Sequence, residues 1–164
     1  MEDAKLQEAL DRTDDVYKDL IEIANTIFKT YTGDVNELIK GAMDNVDNLT
    51  NEDIRLLIIK LSLHSFSFGD VKEKAGLKAE LSETLRKEAY AKAFNLSEGS
   101  VASKESQATM KTSYENSVEL IYNSVASLFK TKLDEIHRVV DALKTVLMSR
   151  MSEAKLTATM YEGE

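Results

Sequence analysis

The chain of 164 residues suits one domain, or one domain with an arm. It holds no proline, no cysteine, no tryptophan and only six glycines, which excludes disulfides, thiolate catalysis and cysteine-held zinc or iron–sulfur centres and leaves few means of breaking a helix. The formal charge of −8 sits wholly in residues 1–70, with 15 acids against 7 bases, whereas residues 71–164 carry 14 of each.

The expected fold is all-α: an elongated antiparallel helical bundle that self-associates and ends in one very long amphipathic helix. A first helix is expected over residues 4–30. Leu6, Leu10, Tyr17, Leu20, Ile21, Ala24, Ile27, Phe28 and Tyr31 recur mostly three or four residues apart. Gly33 suits a terminating left-handed position, and Asp34 with Glu37 resembles a capping box opening a second helix over 34–46. The NVDNLTNED stretch is turn chemistry, and Thr50 with Asp53 marks the start of a third helix over 51–66. That segment is the most apolar and shows apolar residues on more than one face, the mark of a core centre or an oligomer seam. A buried strand over 56–63 is the competing reading; the cap and the absence of a hairpin signal favour helix.

Phe68-Gly69-Asp70 reads as a break, which would divide the chain into an acidic helical region, 1–70, and a helical hairpin, 71–164. The hairpin's first arm is expected over 71–96, with Leu77, Leu81, Leu85 and Ala89 as an apolar row. A polar loop with Gly99 follows, then a second arm over 104–151 and a frayed tail. Along that arm Tyr114, Val118, Ile121, Val125 and Leu128 keep heptad-like intervals. After a one-residue phase slip, Phe129, Leu133, Ile136, Val140 and Leu143 continue them. A continuous helix of that length would measure roughly 70 Å, more than the about 30–40 Å of a compact domain of this size. Either the helix bends back near residues 124–132 or a second copy covers these ten residues as an oligomer seam; the lack of glycine between Gly99 and Gly163 favours the second.

No stretch approaches the about 20 apolar residues needed to span a membrane, and the acidic start lacks an export signal. A cytoplasmic protein is expected, in the host cytoplasm if phage-encoded. His64 and His137 have no second histidine at metal spacing; Asp134 and Asp141 beside His137 read as surface ion pairs. No nucleotide-binding or nucleophile motif occurs. Neither enzymatic activity nor a cofactor or metal is expected.

The remaining chemistry is basic. Arg86, Lys87 and Lys92 lie near Tyr90 and Phe94, and Lys104 opens the second arm. Cations beside aromatic rings suit single-stranded DNA, the charges tracking phosphates and the rings stacking on bases. Self-association would multiply so small a set of contacts.

Residues 77–153, from LKAELSETLRKEAYAKAFNLSEGS onward, resemble the phage recombination-mediator family (UvsY type). The layout shared is a basic helix with a tyrosine, a glycine-containing polar loop, a helix with small residues and a long amphipathic helix. The resemblance implies a helical oligomer that loads a recombinase onto single-stranded DNA without nucleotide hydrolysis. It sets Arg86, Lys87, Tyr90 and Lys92 in the DNA-contacting stretch. The acidic 70 residues ahead of it depart from that layout. They motivate a second reading, an acidic anti-defence inhibitor that binds a host nuclease or nucleic-acid-binding protein. A structural coiled-coil scaffold is the third.

Overall fold

The computed structural model describes the backbone of residues 2–161 and the side chains of residues 18–157. Its elements are α1, Glu2–Asn45; a 3-10 turn, Val46–Asn48; α2, Asn51–Leu96; α3, Val101–Lys111; and α4, Ser113–Tyr161. The fold is all-α. Instead of one very long helix there are three, of 44, 46 and 49 residues.

Two expected breaks are absent. Gly33 lies inside α1, with Asp34 and Glu37 as exposed helical residues rather than caps. Phe68-Gly69-Asp70 lies inside α2. An interior glycine costs a helix about 1 kcal/mol. Burial of Val35 beside one glycine and of Phe68 beside the other outweighs that cost, since burying an apolar side chain of this size is worth about 1.5–3 kcal/mol.

The real ends have local causes. At the start of α2, the amide and hydroxyl of Thr50 donate to Asp53 Oδ2 at 2.9 and 2.6 Å, and the Asp53 amide donates back to Thr50 Oγ1 at 3.2 Å. This is the capping box expected from the sequence. These hydrogen bonds hold the Asp53 carboxyl below its ordinary range. After α2, Gly99 takes φ +109°, a conformation that favours glycine, and Ser100 caps α3 by accepting from the Ser103 amide at 3.4 Å.

The second arm is not continuous from 104. It divides at Thr112, whose amide donates to Ala108 O and Thr109 O at 3.2 and 3.3 Å and whose hydroxyl also donates to Ala108 O at 3.0 Å. At the far end residues 152–157 continue α4 instead of fraying; residues 162–164 lie outside the described residues, as do the side chains of Leu6, Leu10 and Tyr17.

The chain groups into two units. The first holds Met1–Thr30 and Val71–Phe129, the second Tyr31–Asp70 and Lys130–Glu164. Both draw on the acidic first 70 residues; one unit boundary falls between Asp70 and Val71, where the sequence suggests a division, and others follow Thr30 and Phe129.

In the first unit the buried face of α2 is small: Ala75, Ala79, Ser82 and Ala93. Ala24, Ala108 and Thr112 join it, with Val125 and Phe129 as the large members. Phe28 meets Phe129 edge-on at 5.1 Å between centroids. Small side chains let helices approach closely. The expected row points the other way: Leu77, Leu81 and Leu85 are 64, 59 and 48 % exposed.

In the second unit the core is built of larger groups: Val35, Ile39, Ile54, Leu61, Phe68, Ile136, Val140 and Leu143. On α2 the buried residues Ile54, Leu61 and Phe68 recur every seven residues, and Ala75 and Ser82 continue the series in the first unit, the spacing of a single helix face.

Candidate nucleic-acid interface

The basic and aromatic residues lie in the first unit, on the last turns of α2 and the first of α3. Their backbone is helical because Ala89, Ala91 and Ala93 propagate α2 without side-chain cost. The turn at Ser97–Ser100, closed by the Ser97 hydroxyl on Ala93 O at 2.7 Å, brings α3 back beside the end of α2.

Phe94 is the hub. The Tyr90 ring stacks on it, with centroids 6.4 Å apart and planes 18° apart, and Lys104 Nζ stands 6.0 Å from the Phe94 centroid. Tyr90, Phe94 and Lys104 are all half-buried. The sequence sets Phe94 with Tyr90 beside the basic residues, and their i, i+4 spacing places both rings on one face of α2.

The basic residues divide into engaged and unengaged. Arg86 Nε bonds Glu119 Oε2 at 3.0 Å, with side chains 30 and 19 % exposed. Arg86 therefore ties α2 to α4 rather than standing open to a ligand. Lys87 Nζ pairs with Glu83 at 2.5 Å on the exposed side of α2. The Glu83 carboxyl is held below its ordinary range, first by the hydrogen bond from Lys87 and then by the charges of Lys87 and Arg86. Lys92 is exposed and makes no ion pair among the described residues. Lys78, one helix face away, sits 4.9 Å over the Tyr122 ring. Of the five residues expected to contact DNA, the structure gathers Tyr90 and Lys104 around Phe94, leaves Lys92 open, and engages Arg86 and Lys87 with carboxylates.

The ten expected seam residues separate as clearly. Val125, Phe129, Ile136, Val140 and Leu143 are buried in the chain's own core. Val118, Ile121, Leu128 and Leu133 are half-buried, and only Tyr114 stands open, 76 % exposed. The five buried residues are covered within the chain itself, so they offer nothing to a second copy. The apparent phase slip disappears too, because Phe129 and not Leu128 follows Val125 on the buried stripe.

His137 Nε2 lies 3.0 Å from Ser65 Oγ, while Asp141 pairs with Lys144 at 3.2 Å, so the expected His137–Asp141 pair does not form. Among the described residues no group of three His, Cys, Asp or Glu side chains could hold a metal ion, and no helix is long and apolar enough to cross a membrane. Comparison of the chain with protein-family models, with curated proteins and with solved structures returned no match.

Proposed function

We propose that this chain is a non-enzymatic, self-associating helical accessory protein that binds single-stranded DNA through the first unit, in the manner of a phage recombination mediator. One observation carries the reading: the stacked Tyr90–Phe94 pair with Lys104 beside the second ring. Stacked rings bordered by cations suit bases and phosphates together. Within the first unit residues 71–129 balance at eight acids and eight bases, whereas residues 1–30 carry eight acids against four, so binding depends on local contacts that outweigh the unit's long-range repulsion. A single chain supplies few contacts, so the reading also requires several copies on one strand, whose linked sites raise affinity.

The test is fluorescence anisotropy of a labelled single-stranded oligonucleotide, titrated with the full chain at two salt concentrations. Binding that weakens with salt is expected. No binding at low salt would end the proposal.

A second reading draws support from the second unit. Asp34, Glu37 and Asp53, against the single base Lys60, line one groove with Leu38, Leu56 and Leu57. An acidic rim around apolar residues suits a basic protein partner, as a decoy of nucleic acid would. Capture of a host nuclease or defence protein by the wild-type chain, lost on Asp34→Lys with Glu37→Lys, would favour this reading over the first.

A further inference from the structure

Leu77, Leu81 and Leu85 stand four residues apart on α2, are each about half or more exposed, and lie away from the buried Ala75–Ala79–Ser82 face. Three leucines in a row facing solvent on an ordered helix mark an interaction surface. The charges that bound the row identify what covers it. Lys74 stands seven residues before Leu81 and Glu88 seven after. Seven residues are close to two turns, so both lie on the leucine face. Both are exposed, and neither makes an ion pair within the chain among the described residues.

We infer that this face of α2 pairs with the same face of a second copy, antiparallel, about a two-fold axis at Leu81. In that arrangement each Leu77 faces the other copy's Leu85 and the two Leu81 side chains meet on the axis. Each Lys74 lies opposite a Glu88, so two opposite-charge contacts close the ends of the leucine row. A parallel in-register pair would set Lys74 against Lys74 and Glu88 against Glu88, and like charges in facing positions destabilise a helix pair. The isologous pattern is what a two-fold interface requires: the surface is complementary to itself only when reversed. So short a helix pair falls at the small end of specific interfaces, so reversible association at micromolar concentrations is expected. This deepens the self-association part of the proposed function and is independent of DNA binding. It also moves the seam from α4, where the core consumes it, to α2.

The experiment is the mass of the full chain in solution by light scattering, over a range of micromolar concentrations and without DNA. A concentration-dependent dimer is expected. Leu81→Lys should give a monomer of unchanged helicity. Lys74→Glu should weaken the dimer several-fold, and adding Glu88→Lys should restore it. The chain has no cysteine, so register can be read directly. Leu77→Cys and Leu85→Cys chains, mixed under oxidised glutathione, should form a disulfide with one another and not with themselves. A monomeric wild type would overturn the inference, as would a dimer that survives Leu81→Lys, or disulfides formed by either cysteine variant alone. Loss of DNA binding with the dimer intact would count against the function and not against this surface.

Discussion

Arg150 on α4 donates from Nη1 to the carbonyl oxygen of Leu49 at 2.6 Å. Its Nη2 reaches the carbonyls of Val46 at 2.9 Å and Asp47 at 3.4 Å. These groups belong to the 3-10 turn after α1, where the Leu49 amide donates to Val46 O at 3.4 Å and carbonyls at the helix end are short of backbone donors. A cation there also opposes the negative end of the helix dipole. Arg150→Ala therefore removes the only side chain that closes this turn among the described contacts. The expected loss is about 2 kcal/mol, the value of charged hydrogen bonds at a half-buried site. It should appear as a lower urea midpoint with an unchanged slope. Arg150→Lys should recover only part of it, because a single ammonium nitrogen lacks the planar two-nitrogen fork that here reaches carbonyls from both Nη1 and Nη2.

The glycines should respond in opposite directions. At Gly99, φ is +109° and an added Cβ would come within 3.3 Å of Ser103 Oγ. Gly99→Ala is expected to cost about 1–2 kcal/mol through backbone strain. Gly76 is helical and an added Cβ meets nothing within 4 Å, so Gly76→Ala should stabilise by about 0.5–1 kcal/mol through helix propensity. Thermal unfolding of the two variants against wild type measures both signs. A stabilising Gly99→Ala would mean that the turn adopts another conformation.

These contrasts bear on what could be read from the sequence. The Thr50–Asp53 cap was legible because it depends on four consecutive residues and on no tertiary contact. The helical class was legible because the whole chain lacks proline. The inward face of α2 was not. Leu77, Leu81 and Leu85 carry the stronger apolar signal, but the core lies on the side of Ala75, Ala79 and Ser82, whose small side chains add little hydropathy and gain their place by letting helices approach. The breaks at Gly33 and Gly69 failed for a related reason: burial of Val35 and Phe68 is a tertiary effect that no local rule registers. Arg86 looked open because its partner, Glu119, lies 33 residues away. Tyr90 and Lys104 were readable as a pair of residue types, but their meeting at Phe94 depends on the turn at Gly99.

The Thr50–Asp53 cap should give stability a specific pH dependence. The Asp53 carboxyl is held below its ordinary range by hydrogen bonds from the Thr50 side chain and then its backbone, against a small opposing effect of burial. A carboxyl whose folded value is depressed contributes stability that is present above its unfolded value, about 3.9. That contribution is lost as pH falls through the lower folded value. Thr50→Ala removes the hydroxyl donor, so the variant should be less stable than wild type at neutral pH. The gap should narrow as pH falls below about 3.9. What remains at low pH is the bond from the Asp53 amide to Thr50 Oγ1. Urea unfolding of both proteins across that range checks it; a gap independent of pH would assign the effect to the Asp53 amide–Thr50 Oγ1 bond alone.

DNA affinity and fold stability should respond to different members of the basic cluster. Arg86 is bonded to Glu119 between α2 and α4. Arg86→Ala leaves that half-buried carboxylate without its partner and should cost about 1 kcal/mol of stability, discounted for partial exposure. It should leave the slope of affinity against salt almost unchanged. Lys92 has no such partner, so Lys92→Ala should hardly alter stability. It should reduce the log–log salt slope by about 0.7, the value of one phosphate contact on a single strand. Tyr90→Ala should weaken binding by about 1–3 kcal/mol, a factor of roughly 5 to 150, with no change in slope, because stacking releases no counterions. Anisotropy titrations at three salt concentrations, paired with urea unfolding of each variant, separate the roles. If Arg86→Ala lowers the salt slope while Lys92→Ala does not, the strand follows the Arg86 face instead, and Glu119 is the group that DNA must displace.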